Sequence, residues 1–263
     1  MRLPVPRPVR GTMAPPMIPS EPFESRLVAA RRLAPSVREL VFERADGKPF
    51  LFEPGQWVNL VFPLPGGDIK RAYSIASPPV EGERRFEIAV THVTDGPGSG
   101  YLHALAEGAT LRAIGPQGLF TRKPREGVPS LFVGTGTGVT PLRSMITAAL
   151  AAGAGEPLWL LFGARHGEDV LYREELAALA SEHPGVRYEV SLSRPDEGWT
   201  GRRGYVQAHL PELLGALRDA IGPGGPAPHV YVCGLDRMVS AVRDLLRNEL
   251  GLDRKHVHAE RYD

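Results

Sequence analysis

Leu131-Phe-Val133-Gly134-Thr-Gly136-Thr137-Gly138-Val-Thr-Pro141 decides the fold. Three apolar residues read as a buried strand, and three alternate glycines follow. Leu142, Met145, Ile146, Ala149 and Leu150 then recur at helical spacing, with Gly153 as the expected stop. A strand, a glycine turn and a helix in this order can hold a pyrophosphate. Glycine lets the backbone approach the phosphates, and the helix N-terminus favours their charge. The spacing is G-x-G-x-G rather than G-x-G-x-x-G, and the lysine of a P-loop is absent. Taken alone, the loop also reads as a tight turn between strand and helix.

Working outward, the second half of the chain repeats this alternation. Residues 158–162, 188–191 and 230–232 are strand candidates. Tyr172, Leu176, Leu179 and Ala180 form one amphipathic pattern before Pro184, and Met238, Val242, Leu245 and Leu246 form another before Gly251. Such alternation predicts a parallel α/β sheet flanked by helices. The first half differs. Residues 26–30, 37–42, 57–62 and 86–90 are short β-rich runs punctuated by Asp46-Gly47, Pro54-Gly55, Pro65-Gly66-Gly67 and Pro78-Pro79. This pattern predicts an antiparallel β-barrel or sandwich, interrupted by a short helix over 101–106. Polar residues 123–127 mark the boundary. The expected organisation is a proline-rich flexible arm (1–22), an N-terminal β-barrel domain (23–124) and a C-terminal α/β domain (125–263), with no internal repeat.

Composition narrows the function. The chain has 263 residues, 42% hydrophobic and 23% charged, enough for two domains with ordinary cores. Lys and Arg number 31 against 30 Asp and Glu, a formal net charge of +1, which gives no support for a nucleic-acid binder. Cys233 is the single cysteine, so an internal disulfide, a cysteine-built zinc site and a cysteine-ligated iron–sulfur cluster are excluded. Redox chemistry would have to run through an organic cofactor or that thiol. No metal ligand set is expected, because the eight histidines show no ligand spacing; His256 and His258 read as surface residues. No apolar run is long enough to span a membrane, and residues 1–22 lack a signal-peptide core. Met13 and Met17 leave the start codon open. A cytoplasmic, monomeric protein is expected.

The strand that ends at Gly163-Ala164-Arg165 offers an arginine where an NAD site usually offers an acid. Ser193-Arg194, Arg202-Arg203 and Tyr205 follow. Arginine forks suit the extra phosphate of NADP; each alone reads equally as solvated surface. Arg71-Ala72-Tyr73-Ser74-Ile-Ala-Ser77 is the most specific stretch. It sets Arg71 and Tyr73 two apart on one strand face, a cation for a phosphate beside a flat ring, while Ser74 points the other way unless the strand bends near Pro78.

R-x-Y-S-I-A-S resembles the flavin motif of the ferredoxin–NADP⁺ reductase family. The resemblance continues in order from about Phe23 to the end. Gly96-Pro-Gly-Ser99 before Tyr101-Leu102 is similar to the family's pyrophosphate loop, and Gly115-Pro-Gln-Gly118 to its G-P-x-G turn. The glycine loop through Pro141 resembles its nicotinamide-nucleotide loop, and Leu171-Tyr-Arg-Glu-Glu175 the next helix. Ser193-Arg194 with Arg203, Tyr205 and Gln207 resemble its 2′-phosphate and adenine site. Cys233-Gly-Leu235 with Met238, and Glu260-Arg-Tyr262, resemble its last two motifs. Arg203 stands where plant-like members carry lysine, and Asp263 follows a tyrosine that is terminal in those members.

The resemblance implies FAD and NADP(H) as cofactors. Arg71, Ala72, Tyr73 and Ser74 would bind FAD. Ala89, Val90 and Thr91 would pass its adenosine side, and Gly96, Pro97, Gly98 and Ser99 its pyrophosphate. Gly134, Gly136, Thr137, Gly138, Pro141, Arg165, Ser193, Arg194, Arg203, Tyr205, Gln207, Gly234 and Leu235 would bind NADP(H). Tyr262 would cover the second flavin face and yield to nicotinamide. Ser74, Cys233, Glu260 and Tyr262 would shape the catalytic site, where a small thiol and hydroxyl leave room for nicotinamide to reach the flavin. On the residues alone, Cys233 reads as a buried small hydrophobe, and Tyr101 and Leu102 as core contacts. The implied activity is electron transfer between NADP(H) and ferredoxin or flavodoxin. Arg26, Arg31, Arg32, Arg122 and Lys123 are candidate docking charges for such an acidic partner. Two other readings stay open. Ser193-Arg-Pro with Trp199-Thr-Gly201 is similar to reductase components of oxygenases, many of which use NADH. A nonenzymatic flavin- or nucleotide-binding regulatory subunit would keep the fold but be expected to lose Ser74, Cys233 or Glu260.

Overall fold

Short alternating runs become the first of two six-stranded sheets in the computed structural model, which describes residues 21–64 and 66–262. Residues 1–20, most of the proline-rich arm, lie outside the described residues. The first sheet contains β1 (Phe23–Ala34), β2 (Val37–Arg44), β3 (Trp57–Leu64), β4 (Gly67–Ser74), β5 (Arg85–Thr91) and β6 (Thr110–Gln117). Their order is β4-β3-β6-β1-β2-β5, antiparallel throughout. An antiparallel bridge between Ile75 and Ile88, with Ala76 N donating to Glu87 O at 2.7 Å, ties the end of β4 to β5. The two edges thereby meet, and the sheet closes as a barrel. Period-2 alternation fills its interior with Leu27, Leu40, Phe42, Leu60, Phe62, Phe86 and Ile88. Each fully buried apolar side chain of this size contributes roughly 1.5–3 kcal/mol.

Helix α1 (Pro97–Ala104) covers one end of the barrel, with Leu102 buried and Tyr101 against Phe62 at 5.5 Å. It begins four residues before the expected 101–106. Pro97 at its first position needs no amide partner and is already set for a helix. Strand β6 was not expected from sequence, because Gly115-Pro116, joined by a cis peptide, interrupts its apolar pattern.

The second sheet contains β7 (Ser130–Thr135), β8 (Leu158–Ala164), β9 (Val186–Leu192), β10 (Arg202–Arg203), β11 (His229–Leu235) and β12 (Val257–Tyr262). The order is β10-β9-β8-β7-β11-β12, all parallel. Leu131 and Val133 pack against α4 (Leu210–Ile221) and α5 (Asp236–Asp244) on one face. Phe132 packs against α2 (Val139–Ala151) and α3 (Arg173–Glu182) on the other. The chain runs outward from β7 to β10, then returns to β11 on the other side of β7. The order therefore reverses between β7 and β11, where an open parallel sheet leaves its ligand crevice at the strands' C-terminal ends.

The α2 layer continues into the barrel, where Ala34, Val37, Ala76, Ala89 and Phe120 join Val139, Leu142 and Met145 in one apolar cluster. Arg143 on α2 crosses this seam, donating to Ala76 O at 2.8 Å and to Glu87 Oε2 at 2.7 Å, with Glu175 Oε1 at 2.7 Å on its own side. Ser144 adds a bond to Ser77 O at 2.7 Å. Between the sheets, Arg122 is 1% exposed and binds Ser130 Oγ, Val128 O and Glu156. It ties the link to β7, so it is not a docking charge. Arg26 and Arg31 are paired with Glu43 and Glu39, whereas Arg32 and Lys123 stay exposed.

Candidate functional site

Arg71 and Tyr73 share one face of β4, and Ser74 turns to the other, as strand alternation requires. Arg71 is exposed beside the start of α1. A Cβ at Gly98 would sit 3.1 Å from Arg71 Cγ and 3.3 Å from the Phe62 ring, so glycine lets the helix start come this close. The first intrahelical bond is Gly100 N to Gly96 O at 2.9 Å, leaving the Gly98 and Ser99 amides without an intrahelical acceptor. Helix-start amides beside a guanidinium make an anion cradle suited to a pyrophosphate. The Ser99 hydroxyl is already engaged, accepting from Val93 N at 3.0 Å and lying 3.1 Å from Gly96 O. It shapes the loop. Ala72 and Thr91 are exposed, while Ala89 and Val90 are buried along β5. Burial of Tyr73 pushes its phenol up to about 12.

Ser74 reaches the second sheet. Its hydroxyl donates to Glu260 Oε1 at 3.0 Å and accepts from Tyr262 OH at 2.6 Å. Glu260 lies opposite Cys233 in the β11–β12 register, and Cys233 lies opposite Gly134 of β7. Residues from three separate segments, Ser74, Cys233 and the pair Glu260 and Tyr262, thus meet where the end of β4 faces the ends of β11 and β12. Burial raises the Glu260 carboxyl to about 7, against the Ser74 hydrogen bond, which lowers it. Burial also pushes the Cys233 thiol well up, with the Glu260 charge adding to it. The thiol is therefore held neutral and is not poised as a nucleophile. The Tyr262 phenol is likewise raised by burial, then by Cys233 and Glu260.

The glycine loop approaches this cluster from below. A Cβ at Gly138 would be driven into the Cys233 carbonyl, so only glycine allows α2 to start against β11. Thr135 Oγ1 is buried with no hydrogen-bond partner and lies against the place where a Cβ on Gly234 would sit, so glycine there leaves room for it. An orphaned hydroxyl in a glycine-lined crevice fits a polar ligand such as a nicotinamide nucleotide. Gly136 is exposed, Thr137 is half-buried, and Pro141 is buried in the first turn of α2. Leu235, opposite Tyr262 in the register, is exposed.

The arginine group assembles at the ends of β8, β9 and β10. Ser193 N donates to Ala164 O at 3.0 Å and Arg194 N to Arg165 O at 2.9 Å, which sets Arg165 and Arg194 side by side, both exposed. Arg203 donates to Trp199 O at 2.8 Å and remains exposed, with Tyr205 exposed near it and Gln207 half-buried. Its neighbour Arg202 points the other way. It pairs with Glu189 and grips Glu212 with two bonds of 2.7 Å. Of the two adjacent arginines, only Arg203 has its head group open to a ligand.

Sequence reading missed Thr135, whose hydroxyl carries no pattern, and the interdomain role of Arg143, which hides in a helix read only for its apolar face. It also placed His258 on the surface. His258 is half-buried, stacked on Tyr231 at 4.6 Å and bonded to His229 at 3.2 Å, because it sits beside Tyr231 in the β11–β12 register. Among the described residues no helix is long and apolar enough to cross a membrane.

Comparison with known proteins bears on this arrangement. Residues 24–121 match an oxidoreductase FAD-binding domain family, and residues 132–244 match an oxidoreductase NAD-binding domain family. The chain is 67% identical over 247 residues to ferredoxin–NADP reductase B of Sorangium cellulosum, covering 94% of this chain and 100% of that protein. It is 35% identical to the ferredoxin–NAD(P)⁺ reductase component of the naphthalene 1,2-dioxygenase/salicylate 5-hydroxylase systems of a Ralstonia species, over 82% of this chain and 62% of that one. Among solved structures, an Amycolatopsis cytochrome P450 reductase superposes with a TM-score of 0.76 at 27% identity, covering 92% of this chain and 69% of that one.

Proposed function

The chain belongs to the ferredoxin–NADP⁺ reductase family of FAD-dependent oxidoreductases, and from that premise we propose that it moves electrons between NADP(H) and a ferredoxin or flavodoxin, working as a monomer. The observation that carries this reading is the meeting of Ser74, Cys233, Glu260 and Tyr262 between the two sheets. It joins the strand bearing Arg71 and Tyr73 to the crevice beside the glycine loop.

Bound FAD supplies the centre that exchanges hydride with nicotinamide and single electrons with a protein partner. Arg71 and the open amides of Gly98 and Ser99 hold its phosphates, and the Tyr73 ring offers a flat apolar face. Gly134, Gly136 and Gly138 admit the phosphates of NADP(H), and Thr135 supplies a hydroxyl to its nicotinamide end. Arg194 and Arg203, with Ser193 and Tyr205, receive the 2′-phosphate end. Tyr262 stands in front of Ser74 and excludes water from Cys233, and its ring must move for nicotinamide to reach that pair. Glu260, raised to about 7, holds or releases a proton at the carboxylate that Ser74 touches.

A second reading, a reductase feeding an oxygenase, draws on the Ralstonia relative. With one cysteine the chain cannot build a cysteine-ligated iron–sulfur cluster, so that system would need a separate carrier. Anaerobic titration of the flavoprotein with NADPH and NADH separates the two. Fast bleaching by NADPH and slow bleaching by NADH is expected; the reverse order moves the assignment to the oxygenase reading. Replacing Arg194 and Arg203 together by alanine should raise the KM for NADPH by about 100-fold or more and leave that for NADH nearly unchanged, since charge-assisted bonds contribute about 1.5–3 kcal/mol each and both are lost. Equal effects on both nucleotides would remove these arginines from the 2′-phosphate site.

A further inference from the structure

Arg243, Arg247 and Arg254 converge on the face of β12 opposite Glu260. Arg243 and Arg247 are four apart on α5 and the turn that continues it, so they share a helix face. Arg254 comes from the short turn before β12. With Val257 and Ala259, which alternate with His258 and Glu260 along the strand, they line a concave pocket of about 220 Å³. No other described residue lines it, so among the described residues its wall carries three positive charges and no negative one.

The surrounding carboxylates do not neutralise that wall. Asp253, beside Arg254, accepts from Lys255 N at 3.2 Å and pairs with Lys255 Nζ at 3.6 Å. Asp236, at the start of α5, pairs with Arg261 at 2.8 Å. Asp244 and Glu249, on the same turns, lie outside the pocket lining. Arg243, Arg247 and Arg254 themselves make no ion pair or side-chain hydrogen bond among the described residues. Most other arginines in this chain with a nearby carboxylate use it, as Arg202 does with Glu189 and Glu212 and Arg143 with Glu87 and Glu175. Three guanidinium groups gathered in one concavity repel one another, and an anion between them would relieve the repulsion. Guanidinium forks match the oxygens of a phosphate in pairs. The volume is below that of usual drug-sized pockets, about 300 Å³ and above, which points to a small multivalent group.

We propose that this pocket is a phosphate-binding site distinct from the NADP(H) site, taking a diphosphate group, either as free inorganic diphosphate or as the tail of a nucleoside diphosphate. Calorimetric titration of the FAD-loaded protein tests it, with NADP⁺ saturating so that Arg165, Arg194 and Arg203 are occupied. Inorganic diphosphate should bind at one site with a Kd below about 1 mM. The single variants Arg243→Gln, Arg247→Gln and Arg254→Gln should each weaken it about tenfold or more, while flavin bleaching by NADPH stays at the parent rate. Binding of ADP that is lost in the same variants identifies the nucleotide tail as the ligand class. Exclusion of ADP identifies the free anion. Absence of saturable binding up to about ten times that concentration, or affinity unchanged from the parent in all three variants, overturns the proposal.

Discussion

Glu260 shows how a site is tuned one residue at a time. On an exposed strand it would titrate near the ordinary carboxylate value. Burial between β11, β12 and the end of β4 raises it to about 7, so near neutrality it is divided between its two forms. The folded value lies above the unfolded one, so the protonated form favours folding. That contribution is full below about 4.5 and fades as pH rises through about 7. Glu260→Gln should therefore stabilise the protein at pH 8 by about 2–3 kcal/mol, with the gain vanishing near pH 4. Urea unfolding across that range measures this, and a pH-independent difference would show that the carboxyl is not the titrating group. The same variant should remove the inflection near pH 7 in the rate of flavin bleaching by NADPH. Ser74 and Tyr262 sharpen the point, because neither is notable alone, yet a 2.6 Å bond joins them across 188 positions of sequence.

At the scale of the element, the glycine turn between β7 and α2 does two separate things. Gly136 has φ +54 and open space around its missing Cβ, so backbone conformation alone calls for glycine there. Gly138 has an ordinary helical φ but no space, because the Cys233 carbonyl stands where a Cβ would go. Asparagine tolerates the left-handed region, so Gly136→Asn should cost less than about 1 kcal/mol. Gly138→Ala should cost about 1–3 kcal/mol by overpacking. It should also weaken NADP⁺ binding, because α2 must back away from β11. Equilibrium unfolding and a binding titration on both variants check this, and equal costs would mean that close approach is not the constraint. The spacing of these glycines was visible from the start, but which one answers to conformation and which to contact was not.

At the scale of the whole molecule, the two sheets are joined by an apolar seam and by Arg143. Its guanidinium bridges Glu87 on the barrel and Glu175 on α3 while capping the Ala76 carbonyl. Removing it strands two partly exposed carboxylates and one carbonyl. Arg143→Met should destabilise the protein by about 2–3 kcal/mol, below the usual 3–5 kcal/mol for a fully buried pair because both carboxylates see some water. Calorimetry should then show the single unfolding transition broaden or split as the barrel and the α/β domain lose their coupling. One sharp transition at the parent temperature would assign the coupling to the apolar seam around Val37, Ala76, Phe120 and Met145 instead.

Local pattern determined much of this protein. Short β-rich runs marked β1, β2, β3 and β5, helical spacing marked α2, α3 and α5, and the alternation that begins at the glycine turn after Val133 marked the parallel sheet. Each of these depends on residues close together in the chain, so the sequence displays them directly. Tertiary structure alone decided which charged and polar groups remain available. Arg202 and Arg203 are neighbours with the same chemistry, and only strand alternation together with Glu189 and Glu212 makes one structural and leaves the other open. Arg122 looked like a docking charge until burial beside Glu156 made it a tie between the domains. The pairing of Ser74 with Glu260, the orphaned hydroxyl of Thr135 and the gathering of Arg243, Arg247 and Arg254 likewise arise from contacts between elements. Burial and pairing are properties of what surrounds a side chain, and that surrounding is assembled only when distant segments pack.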